Sequence, residues 1–124
     1  MANADAGTPP PAGAGTDDEG LRAQSTFNAL MRAMAEPGLI EKLVIPPCVP
    51  EALPRGLAAV AVTLADFETP LWLDEQFGSA DEVTRYLRFA TGAPIVEDPA
   101  RAAFALVTRA TAMPPFTWFS AGSD

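Results

Sequence analysis

A chain of 124 residues leaves room for one domain, and 48% hydrophobic with 19% charged residues is a globular composition. Sixteen acidic residues against eight basic ones give a formal net charge of −8, which phosphate backbones repel, so nucleic-acid binding is not expected. Histidine is absent, removing the commonest general base near neutral pH and the commonest metal ligand, and a single cysteine excludes an internal disulfide. No apolar run reaches membrane-spanning length and no signal peptide is recognisable, so a cytoplasmic location is expected.

Residues 1–20 hold Ala, Gly, Pro, Thr and Asp, with no aromatic and no aliphatic larger than Ala beyond Met1. Such a segment buries too little apolar surface to offset its conformational entropy and reads as a disordered tail, with the folded domain at 21–124. Thr16 and Glu19 have capping-box spacing. A first helix is expected from about Gly20 to Glu36, with Phe27, Leu30, Met31 and Met34 forming its inward face. Pro37 and Gly38 stop it. Leu39 to Val49 reads as a short extended segment leading into a proline-rich loop (Pro46, Pro47, Pro50, Pro54) that holds Cys48, an inert thiol with no basic neighbour.

A second helix follows, with Leu57, Val60, Ala61 and Leu64 at helical spacing. Thr69 to Leu73 reads as a strand with Pro70 at its start or on an edge, and Trp72 as a core residue. Ser79 and Glu82 form a second capping box, opening a third helix from about Ala80 to Thr91 that Gly92 ends. Ala93 to Val96 is expected to be a connection, and the apolar run Ala102–Thr108 a strand buried on both faces. Phe116, Trp118 and Phe119 want a covering surface. Alternating helices and strands predict an α/β domain with a largely parallel or mixed sheet between flanking helices, in three layers.

Three blocks carry a family resemblance. They are Ser25–Gly38 (STFNALMRAMAEPG), Thr63–Leu73 (TLADFETPLWL) and Leu87–Pro94 (LRFATGAP), the last followed by the Ala102–Thr108 run. In this order they resemble the PhnH family, a subunit of the bacterial carbon–phosphorus lyase system. The match covers the family's N-terminal part, so a truncated domain is expected. The resemblance implies part of a fold like that of the pyridoxal-phosphate-dependent transferases, without the cofactor, and a homodimer. It also implies a core complex with PhnG, PhnI and PhnJ that couples an alkylphosphonate to the ribose of a nucleoside triphosphate.

Candidate site residues are few. A pyridoxal-phosphate enzyme needs a Schiff-base lysine, and the only lysine, Lys42, sits in a charged Glu41–Lys42 pair and reads as a surface charge. No metal cluster or nucleophile motif is present. Arg85 and Arg88 share one side of the third helix and suit an anionic ligand, or else pair with Asp81 and Glu82. Asp66 and Thr69 form a polar cluster that suits acid–base work or a turn. The sequence therefore predicts a non-catalytic subunit of the phosphonate-processing complex. The alternatives are a small phosphonate- or phosphate-binding protein acting through Arg88, and a truncated silent copy.

Overall fold

The computed structural model describes residues 14–122. Its first element, α1 (Ala14–Ala35), begins earlier than expected, so residues 14–20 are helical rather than part of a tail, and Thr16 and Glu19 lie inside the helix. The rest of the expected tail lies outside the described residues. The helix stops as the sequence requires: Glu36 N donates to Arg32 O, Gly38 takes φ 92° and Leu39 N closes a turn on Glu36 O at 3.0 Å.

The face that α1 buries is not the expected one. Thr26 and Ala29 are buried, whereas Phe27, Met31 and Met34 are exposed, Met34 at 78%. Small residues let α1 lie close against α2 (Arg55–Leu64), which itself buries Ala58, Ala59 and Ala61. The expected face has the right spacing, but of its four residues only Leu30 is half-buried. Leu39 to Pro46 then forms no strand, and Ile40 is 93% exposed.

The sheet has order β2-β1-β3. Its central strand is β1 (Leu71–Leu73), flanked by β2 (Ile95–Val96) and β3 (Phe104–Leu106), and both pairings are parallel rather than mixed. Pro70 precedes β1 as expected, and its carbonyl accepts from Ala103 N at 2.8 Å. The residues expected to be a mere connection supply β2, because Leu71 N donates to Pro94 O and holds that segment in register. The Ala102–Thr108 run is not buried on both faces. Only Leu106 of β3 is buried, and Phe104 and Ala105 are exposed, since β3 lies at the sheet edge. An apolar run marks a strand but cannot say whether it will be central.

One core cluster joins the strands to the helices: Leu53 from the proline loop, Ala58 and Ala61 from α2, Leu71 and Leu73 from β1, and Val83 and Leu87 from α4 (Asp81–Thr91). By register, Leu71, Leu73 and Leu106 share one face of the sheet, and this face meets the helices. The opposite face carries Trp72, which is half-buried and packs edge-to-face on Phe119 at 5.5 Å rather than in the helical core. The described residues thus form helices on one face of a small parallel sheet, with a C-terminal aromatic on the other, in place of the expected three layers. Phe116 and Trp118 are exposed.

A four-residue helical turn, α3 (Glu75–Gly78), separates β1 from α4. It changes how α4 begins. Ser79 sits at the end of α3, where its hydroxyl donates to Gln76 O, so the N-cap of α4 is Ala80 and no side chain caps it. The expected Ser79–Glu82 capping box is therefore not formed. The far end of α4 is as expected: Gly92 adopts the left-handed conformation (φ 71°) and donates its N–H to Arg88 O at 2.9 Å.

Candidate functional site

The sequence-predicted site residues fall into two groups. Asp66 and Thr69 come together in the loop between α2 and β1. Asp66 Oδ1 accepts from Thr69 Oγ1 at 2.7 Å and from Glu68 N at 2.9 Å, and Thr69 N donates to Asp66 O at 3.0 Å. Those bonds, the threonine hydroxyl first, hold the Asp66 carboxyl below the usual aspartate range. Both side-chain bonds fall on Oδ1 and come from its own turn, the local role that Asp and Thr commonly play before a proline.

Arg85 and Arg88 lie on the outer face of α4. Both are exposed, and with Asp81, Thr84 and Phe89 they line an open, shallow cleft. Among the described residues neither guanidinium has a carboxylate within 4 Å, so the expected pairing with Asp81 or Glu82 does not form. Arg22 is paired with Asp18, and Arg32 with Glu41 at 2.6 Å. The Arg32 hydrogen bond holds the Glu41 carboxyl below its usual range, and it takes Glu41 away from the expected partnership with Lys42, which is exposed.

Sequence reasoning missed the most tightly held polar residue. Asp74 is 3% exposed and directly follows β1 as the N-cap of α3. Its Oδ1 accepts from Phe77 N at 3.0 Å, capping α3, and its Oδ2 accepts from both Thr108 N and Thr108 Oγ1 at 2.6 Å. Its own N–H donates to Leu106 O at 3.1 Å. Burial pushes the Asp74 pKa up, but the bonds from Thr108 and Phe77 outweigh it and leave the carboxyl below the usual range. Asp74 thus ties the ends of β1 and β3 to the start of α3. The available signal was an aspartate directly after an apolar strand and three residues before a buried Phe. Behind α4, burial also pushes the Tyr86 phenol up, with Cys48 adding to the shift, and the Tyr86 hydroxyl is buried with no protein hydrogen-bond partner among the described residues. Among the described residues no cluster of His, Cys, Asp and Glu could hold a metal, and no helix is long and apolar enough to cross a membrane.

The family profile described as bacterial phosphonate metabolism protein (PhnH) matches residues 14–124. The chain is 34% identical over 107 residues to the alpha-D-ribose 1-methylphosphonate 5-triphosphate synthase subunit PhnH of Rhizobium meliloti (strain 1021), an alignment covering 86% of this chain and 53% of that protein. The chain therefore spans about half the length of the curated relative it matches. The match takes in all three sequence blocks together with α1, the sheet and α4, and on that extent the chain belongs to the PhnH family of bacterial phosphonate metabolism proteins.

Proposed function

We propose that this chain acts as a non-catalytic subunit of the carbon–phosphorus lyase core complex, supporting the coupling of an alkylphosphonate to the ribose of a nucleoside triphosphate. The observation that carries the proposal is the family match over residues 14–124, joined to 34% identity with a synthase subunit. The site chemistry is consistent with an assembly role. Asp66 and Asp74 are engaged in structural hydrogen bonds, and the chain has neither histidine nor a lysine placed for covalent catalysis. Phe89, Phe116 and Trp118 are large exposed apolar side chains and offer surface for partners.

The proposed partners are PhnG, PhnI and PhnJ, with a second copy of the chain as a further candidate, in the cytoplasm. On the same resemblance, the fold is proposed as part of a larger transferase-like α/β fold that works without pyridoxal phosphate. Co-expression of the tagged chain with PhnG, PhnI and PhnJ from one organism tests the function. Retention of the three subunits on the tagged chain at micromolar concentration is expected. If they assemble with one another and leave this chain behind, the subunit role is wrong.

A further inference from the structure

The outer face of α4 combines three side chains that the fold itself does not use. At about 100° per residue, Arg85, Arg88 and Phe89 fall within one third of the helix circumference, opposite the buried Val83 and Leu87. Phe89 is 92% exposed, a greater exposure than that of Phe27, Phe104 or Phe116. A lone exposed aromatic would mean little. This one shares its face with two guanidiniums that have no carboxylate within 4 Å among the described residues, in a chain of net charge −8. Asp81, one turn before Arg85 in the same cleft, has the spacing to neutralise it and does not make the contact.

Aromatic residues and arginine are the side chains most enriched where protein interfaces concentrate their binding energy. Their chemistry defines a partner. Phe89 needs an apolar socket, and Arg85 and Arg88 need carboxylates at its rim, where planar guanidiniums make paired hydrogen bonds. We infer that the outer face of α4 is a docking surface for a partner subunit whose contact patch is an apolar socket ringed by Asp and Glu. The inference rests on the assembly role proposed above and assigns that role a surface. The apolar face of α1 differs, because it carries no charge pattern that would select an occupant.

The test uses the full chain and the subunits it retains in the co-purification. Phe89→Ala is expected to weaken capture at least about tenfold, and Arg85→Glu with Arg88→Glu to weaken it further and to flatten its dependence on salt. All three positions are exposed, so unchanged circular dichroism and melting temperature separate lost docking from lost folding. Met34→Ser on α1 is expected to leave capture unchanged. A wild-type chain that captures nothing overturns the assembly role and this surface with it. A wild-type chain that captures partners no better than the Phe89 and arginine variants overturns the surface alone. The surface is also overturned if inorganic phosphate binds the wild type and not Arg88→Ala while capture stays equal, since the arginines are then an anion site. A wild-type dimer that Phe89→Ala converts to a monomer assigns the face to a second copy and overturns it as well.

Discussion

Helices α1 and α4 carry the same sequence signal and meet opposite fates. Each has large apolar residues at i, i+3 or i+4 spacing, and each is followed by a glycine with positive φ, Gly38 three residues after α1 and Gly92 directly after α4. In α4 the stripe is buried: Val83 and Leu87 have no exposed surface and join the core cluster with residues of α2 and β1. In α1 the stripe residues Phe27, Met31 and Met34 are exposed and Leu30 is half-buried, while Thr26 and Ala29 are the buried residues of the helix that meets α2. Periodicity says that a helix will form and which residues share a face. It does not say which face finds a neighbour, because that depends on what else is packed nearby. The small-residue face of α1 wins because α2 is itself lined with alanine, and two such faces approach more closely than Phe and Met would allow.

The contrast can be broken by truncating each stripe. Leu87→Ala removes a fully buried side chain from the single core cluster and is expected to cost about 3 kcal/mol, near the middle of the range for such changes. Met31→Ser with Met34→Ser on α1 is expected to stay within about 0.5 kcal/mol, as surface changes do. Urea denaturation of both variants checks the pair. Equal losses would mean that the bulky face of α1 is packed in solution.

Asp74 supports the α4 side through its hold on α3 and β3. Asp74→Ala leaves Phe77 N and both Thr108 donors without their acceptor and is expected to cost about 2–3 kcal/mol. Asp74→Asn keeps an acceptor for the cap but sets an amide against Thr108, so a smaller loss is expected. The pH dependence follows from the carboxyl's position below the usual aspartate range in the folded chain. The folded state binds this proton less readily than the unfolded state does. The stabilisation is therefore fully present above the ordinary aspartate pKa and is lost as pH falls through the folded value. Denaturation midpoints between pH 6 and the acid limit, compared with Asp74→Asn, should show a shallower acid loss in the variant.

Much of this fold was legible from residue chemistry. Both helix stops were written in Pro37–Gly38 and Gly92, α2 in its apolar spacing, and the start of β1 in Pro70, because each of these signals acts over four or five residues. What escaped depends on distant partners. β2 is two residues long and exists through its pairing with Leu71 and Trp72, and β3 is an edge strand because no fourth strand lies beyond it among the described residues. The cap of α4 shifted because α3 claimed Ser79 first. The site divided in the same way. Asp66 and Thr69 are three apart and their turn could be read directly, whereas the bonds from Thr108 to Asp74 span 34 residues and left no local mark.

Two smaller changes sharpen the comparison at the ends and back of α4. Gly92→Ala forces a Cβ into the left-handed region. The nearest atom, Phe67 Cβ, would lie at 3.8 Å, an ordinary contact, so the cost is conformational rather than steric and is expected near 1 kcal/mol. Tyr86→Phe acts in the opposite direction. The Tyr86 hydroxyl is buried without a protein partner among the described residues, so removing it deletes an unmet hydrogen-bonding group and leaves the ring's packing against the core in place. A gain of up to about 1 kcal/mol is expected in chemical denaturation. A loss instead would mean that the hydroxyl is satisfied in solution, and it would mark the space between α4 and the Cys48 loop as polar, setting that inner face of α4 apart from the apolar stripe of Val83 and Leu87.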